Sequence, residues 1–230
     1  EVLLPENKDV LSETGADCSN ALSENMCFAL DVGTTTLALA LVSLDNGSTI
    51  KTITRTNPQI VFGADVISRI AYCNNNGVEA LKNALINKIN SMANELCENI
   101  LPVMYASGNT TMLHILFGEN PSSMGVAPYT PIFTKSKTVP GNNIGITNAQ
   151  KVVSLDCISA FVGADLVAGV NLAVAPESNK YNLLIDLGTN AEIILYNKSN
   201  LFCTSASAGP CFEGGNITSG TSATDGAIYA

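Results

Sequence analysis

Two short stretches of the sequence concentrate the residue types that hold phosphate. The first is DVGTTT, Asp31 to Thr36. Gly33, at the tip of a strand–turn–strand, leaves room for a ligand to approach the backbone. Thr34, Thr35 and Thr36 set hydroxyls beside exposed amide N–H groups, a donor-rich concavity suited to phosphate oxygens. Asp31, at the end of the first strand, suits a Mg²⁺ ion held through water, because that ion keeps much of its hydration shell. The second stretch, DLGTN, offers the same parts in Asp186, Gly188, Thr189 and Asn190. One Asp-x-Gly-Thr turn is common in ordinary proteins. Here YNLLIDLGTNAEIILYNK repeats CFALDVGTTTLALALVSL in register, so the turns are copies of one unit.

Strands and helices must hold these turns in place. CFALDVG, TTTLALALVSLD and STIKTITRTN read as three strands of an antiparallel meander, with Asn46–Gly47 as a hairpin turn. GADVISRIAYC is a short helix ended by NNNG, and residues 78–100 carry apolar positions at helical spacing. LPVMYASG is a buried strand leading into the helix NTTMLHILF. Residues 118–150, rich in Pro and Gly, read as a long loop. Tyr129, Ile132 and Phe133 within it look like exposed apolar groups for partner contact or lobe covering, or else part of a plain surface connection. VVSLDCISAF is a strand and GADLVAGVNLAVA a helix of small residues. The expected organisation is a linker or tail over 1–26, a first lobe over 27–175 closed by a helix at 163–175, and the start of a second lobe over 176–230.

Composition narrows the function classes. With 46% hydrophobic residues in 230, the chain can bury a sizeable core. Eleven basic against 20 acidic residues give a net charge of −9, which leaves no basic footprint for nucleic acid. No apolar run approaches the roughly 20 residues that span a bilayer. The seven cysteines include no CxxC pair, so they read as small core residues of a reducing, cytoplasmic protein. The single histidine, His114, lies in a predicted helix and reads as a packed or half-exposed side chain.

Paired DxGT hairpins resemble the two phosphate motifs of the fold shared by acetate and sugar kinases, Hsp70 and actin. The likeness sharpens in NPQIVFGADVISRI (57–70), SGNTTMLHILFG (107–118), FVGADLVAGV (161–170), LLIDLGTNAEIIL (183–195) and SASAGPCFEGGNITSGTSATDGAI (205–228). Together these resemble the C-terminal ATP-binding domain of the reductive activators of corrinoid proteins. The resemblance implies an α/β, two-lobed, ribonuclease H-like fold of mixed sheets flanked by helices. It also implies ATP and Mg²⁺ as ligands, and ATP-driven one-electron reduction of Co(II) corrinoid to Co(I).

Site roles follow by resemblance. Asp31, Gly33, Thr34, Thr35 and Thr36 would form the first phosphate loop, and Asp186, Gly188, Thr189 and Asn190 the second. Gly108 and Asn109 read either as donors to the cleft or, for Asn109, as a helix N-cap. Asp165 is either an ordinary first-turn carboxylate or a group that positions metal or water. Glu213, with Gly209 and Gly214 in a glycine-rich stretch, would touch ribose or position water, or simply start a helix. The implied partner is a corrinoid protein or a corrinoid-dependent methyltransferase, with a homodimer left open. Such activators also carry a 2Fe–2S domain, for which this chain lacks the cysteine spacing, and they continue past Ala230. The chain is therefore expected to be a piece of a longer protein, with an incomplete second lobe and weak ATP handling alone. The competing readings are a small-molecule kinase of the same fold and a non-catalytic nucleotide-sensing domain.

Overall fold

The computed structural model describes residues 25–173, 179–188 and 190–207. The chain divides into two compact units, Glu1–Asp165 and Leu166–Ala230.

In the first unit, β1 (Met26–Val32), β2 (Thr36–Ser43) and β3 (Thr49–Thr56) form the expected meander. Gly47 turns the second hairpin at φ +71°, a conformation that suits glycine. After α1 (Val66–Asn76) and α2 (Glu79–Leu96), β4 (Leu101–Gly108) returns parallel to β1, and α3 (Thr110–Phe117) follows it directly. The six-stranded sheet has the order β3-β2-β1-β4-β6-β5, with β6 (Ala149–Ser154) parallel to β4 and the edge strand β5 (Thr138–Pro140) antiparallel to β6. Alternation in β1 and β2 sends Phe28, Leu30, Val32, Leu37, Leu39 and Leu41 into one buried cluster. Leu81, Leu85, Ile89, Met92 and Leu96 of α2 join that cluster from successive turns.

The segment 118–150 is more structured than its composition suggests. It contains a 3-10 turn at Pro121–Met124, strand β5 and the short helix α4 (Gly141–Ile144). Tyr129 and Ile132 are exposed as expected. Phe133 is not: its ring stacks on His114 at 4.2 Å and meets Phe117 edge-on at 5.9 Å.

Helix α5 (Ala164–Leu172) opens with Asp165 in its first turn. In the second unit, β7 (Asn182–Leu187), β8 (Asn190–Tyr196) and β9 (Leu201–Ser207) form an antiparallel sheet in that order. Val32 pairs with Leu37 across the first DxGT hairpin, whereas Leu187 pairs with Ala191 across the second, so the second turn is one residue shorter. No helix among the described residues is long and apolar enough to cross a membrane.

Candidate functional site

Parallel pairing brings the ends of β1 and β4 together. Asp31 lies opposite Ser107, and Val32 opposite Gly108. The site is built where these strands stop, the end at which open α/β sheets place ligands.

Gly33 begins the first turn. A Cβ there would run into the Thr36 carbonyl, so a side chain is excluded by the backbone itself. Gly108 sits at φ +149°, and a Cβ on it would meet the Val32 carbonyl oxygen at 2.7 Å. Asn109 then caps α3 through its side-chain oxygen, which accepts from the Met112 N–H at 3.0 Å. The same side chain donates from Nδ2 to the Thr34 hydroxyl oxygen at 3.0 Å. Asn109 is therefore the N-cap of α3, and its amide also ties the start of that helix to the turn at Thr34. The start of α5 closes on the same place: a Cβ on Gly163 would lie 2.5 Å from Asn109 Cα and 2.8 Å from the Asp165 Oδ1. The structure thus gathers the 33–36, 108–109 and 163–165 segments at one end of the sheet.

Three carbonyls of the turn, those of Gly33, Thr34 and Thr35, face inward onto one segment. Asn57 Nδ2 donates to the Gly33 carbonyl at 2.8 Å. Arg69 Nη2 donates to the Thr34 carbonyl at 2.7 Å. The Asn57 N–H donates to the Thr35 carbonyl at 2.8 Å. In a trans peptide unit, C=O and the following N–H point in opposite directions. The N–H groups of Thr34, Thr35 and Thr36 are consequently turned away from the 57–69 segment. Among the described residues, none accepts from the Thr34 or Thr35 N–H.

A buried hydroxyl without a partner, Ser107 Oγ, lies in register with Asp31. Unaccepted amides, threonine hydroxyls and an exposed carboxylate at Asp31 are the donor set that a phosphate with hydrated Mg²⁺ requires. The residues present fit that ligand.

In the second unit, Asp186 is exposed and pairs with Glu192, and the Gly188 N–H donates to the Asn190 carbonyl at 2.9 Å. Among the described residues, a Cβ on Gly188 would meet that carbonyl oxygen at 3.7 Å, whereas at Gly33 it would run into the Thr36 carbonyl. Thr189, Gly209, Glu213 and Gly214 lie outside the described residues. Cys27, Cys73 and Cys157 are free, buried thiols, and burial pushes each of their pKa values up, that of Cys73 to about 11. Among the described residues, no three His, Cys, Asp or Glu side chains group as a metal cluster needs.

Asn57, Gln59 and Arg69 were not singled out from the sequence as site residues. A signal existed: Val66, Arg69, Ile70 and Cys73 share one helical stripe, which places an arginine among residues that turn inward.

A mixed α/β domain with a phosphate-type turn at the ends of parallel strands is the class this geometry defines. The family model described as the RACo middle region matches residues 26–175. A second, described as the C-terminal domain of RACo, the ASKHA domain, matches residues 180–230. The chain belongs to this family, and the models set a boundary inside the stretch that resembles the activators. The corrinoid activation enzyme RamQ of Eubacterium limosum is 32% identical over 212 residues, which cover 87% of this chain and 35% of that protein. The Co(II) methylated amine-specific corrinoid protein reductase of Methanosarcina barkeri is 28% identical over 221 residues, 87% of this chain and 39% of the relative. A solved reductive activator for corrinoid, iron-sulfur protein matches with a TM-score of 0.79 at 34% identity, over 86% of this chain and 33% of that one. The chain thus spans between a third and two fifths of the length of these relatives.

Proposed function

We propose that this chain is the nucleotide-binding part of a reductive activator, a protein that couples ATP hydrolysis to one-electron reduction of an inactive Co(II) corrinoid protein to Co(I). The observation that carries the reading is the turn at Gly33–Thr36, with its Gly33, Thr34 and Thr35 carbonyls tied inward and its Thr34 and Thr35 N–H groups unaccepted among the described residues. Membership of a family whose relatives are named as corrinoid activators supplies the reaction. In this reading Gly33, Thr34, Thr35 and Thr36 hold phosphate oxygens, and Asp31 holds Mg²⁺ through water. Asp186, Gly188, Thr189 and Asn190 do the same from the second turn. Asp165 and Glu213 position water or ribose, and the backbone at Gly209 and Gly214 lets the ligand approach. The electron comes from an iron–sulfur centre of the same protein, and the acceptor is the cobalt of a corrinoid protein or corrinoid-dependent methyltransferase. Nucleotide turnover changes the affinity for that partner, which is how hydrolysis is coupled to an uphill reduction.

Phosphate release from Mg-ATP, measured on the full-length protein with and without the corrinoid partner, tests the reading. Partner-stimulated release that falls about 10- to 100-fold in Asp31→Asn supports it. Phosphate transfer to a small acceptor would establish a kinase instead, and nucleotide binding without turnover a sensing domain.

A further inference from the structure

We propose that Arg69 is a positioning residue for the phosphate chain. From inside the protein it holds the Thr34 carbonyl so that the Thr35 N–H faces the ligand, and the ligand supplies the anion that its guanidinium lacks. The inference rests on the nucleotide-binding reading and deepens it, because that reading gives no residue from Asn57 to Arg69 a role toward the ligand.

Arg69 is fully buried. Its Nε donates to the Gly63 carbonyl at 2.9 Å, and Nη2 to the Thr34 carbonyl at 2.7 Å. Nη1 reaches Gln59 Oε1 and Met112 Sδ, both at 3.2 Å. Each of these acceptors is neutral. Asp65 is the carboxylate whose charge Arg69 feels, yet the two make no ion pair, and burial brings the guanidinium pKa down to about 10. Arg69 nevertheless stays charged at neutral pH. A buried cation without a paired carboxylate is a costly arrangement.

Holding a carbonyl does not require that charge. Asn57 ties the Gly33 and Thr35 carbonyls with neutral donors, and Gln59 links Asn57 to Arg69 and anchors to the Leu81 carbonyl at 3.1 Å. A neutral side chain would serve equally at the centre of this clamp if loop shape were its whole purpose. What distinguishes Arg69 is a full positive charge one peptide unit behind amides that have no acceptor among the described residues. That peptide, from the Thr34 carbonyl to the Thr35 N–H, carries its dipole from the guanidinium toward the outside. A phosphate oxygen accepting from the Thr35 N–H would complete a chain of alternating charge, in which each hydrogen bond polarises the next. Lysine keeps the charge but loses the planar fork that reaches Gly63, Gln59 and Thr34 together.

The test is titration of the full-length protein with Mg-ATP and with adenosine, for the wild type, Arg69→Met and Arg69→Lys. R69M should lower Mg-ATP affinity by about tenfold or more while adenosine affinity stays within about twofold, and R69K should recover part of the loss. A loss shared equally by both ligands, or no loss for either, would mean that Arg69 only shapes the fold, and overturns the inference. Should R69M not fold, the wild-type Arg69 Nε–H resonance decides. It should shift on adding Mg-ATP and stay in place with adenosine, and a resonance indifferent to both sinks the idea. A wild type that binds no Mg-ATP defeats the nucleotide reading itself, and this inference with it. Wild-type binding with an unchanged ratio of Mg-ATP to adenosine affinity in R69M defeats the inference alone.

Discussion

Both ring nitrogens of His114 are engaged, and their partners fix its tautomer. Nε2 faces the N–H groups of Ile132 at 3.0 Å and Phe133 at 3.4 Å, so it can only accept. Nδ1 therefore carries the proton and donates to the Thr110 carbonyl at 2.7 Å. Burial lowers the His114 pKa below its ordinary value of 6.5, against opposing effects of the Thr110 carbonyl and Glu119, and Lys137 lowers it further. The folded state thus prefers neutral imidazole, and the unfolded chain binds the extra proton first. The stability from His114 is complete above the unfolded pKa and is lost as pH falls below it, levelling off under the folded pKa. Urea unfolding should show His114→Gln costing about 1–3 kcal/mol at neutral pH. The same variant should depend less on pH than the wild type between about pH 7 and 5. An equal slope in both proteins would show that His114 is not the titrating group. At this scale the sequence was legible where a residue acts on its neighbours in the chain. Asn109 as a cap follows from its place before TTMLHILF, and the apolar neighbours of His114 suit a packed side chain. Arg69 and Asn57 act across long sequence separations on the Gly33–Thr36 carbonyls, and no local pattern reports such a contact.

Helix α1 is set by its first turn. Asp65 Oδ1 accepts from the Ser68 N–H at 2.7 Å, and Ser68 Oγ receives the Asp65 N–H at 3.1 Å, a reciprocal capping box. The box fixes where α1 begins and so where Arg69 enters the interior. Asp65→Ala should cost about 0.5–2 kcal/mol in chemical denaturation. Ser68→Ala, which removes the other bond, should add less than its cost as a single variant, because each bond holds the turn in the geometry the other needs. Additive losses in the double variant would show that the two halves of the box act separately. Elements with strong periodicity were readable from sequence, with errors at their ends. The apolar spacing of α2 runs on to Ile100, but the helix stops at Leu96, with Cys97 extended at φ −158° and Ile100 60% exposed. Tertiary pairing overrides the pattern there, since the chain must straighten for Leu101 to pair with Ala149. In the 118–150 segment, β5 is three residues long and ends on Pro140, which an edge strand tolerates and which hides it from any strand pattern.

Across the whole molecule, the repeat was the most informative feature of the sequence, and the two units use it differently. Alternation and the DxGT spacing placed both hairpins. The shorter second turn was not legible, because its length is set by which residues of β7 and β8 pair, and the residue types there suit either register. The units also differ in how deeply their strands are covered. In β1, β2 and β4, Phe28, Leu30, Leu37, Leu39 and Met104 are at most 2% exposed, and α2 and α3 lie over them. In β7 and β9, Leu183, Ile185, Leu187, Leu201 and Phe202 are between 48% and 60% exposed. Local opening free energy follows the apolar contact that opening would break. Native-state hydrogen exchange on the chain should therefore find its slowest amides in β1, β4, α2 and α3. Amides of β7 to β9 should exchange faster by about two orders of magnitude or more, the equivalent of about 2.7 kcal/mol of opening free energy. The turn after β1 makes the comparison sharper, because it joins a fully covered strand yet carries two N–H groups without acceptors among the described residues. Thr34 and Thr35 should exchange quickly in the free protein although Leu30 and Val32 are slow, and Mg-ATP should slow them while leaving Leu30 and Val32 unchanged. Slow exchange at Thr34 and Thr35 without ligand would mean that the protein itself satisfies those amides, and that the turn is not held open for phosphate.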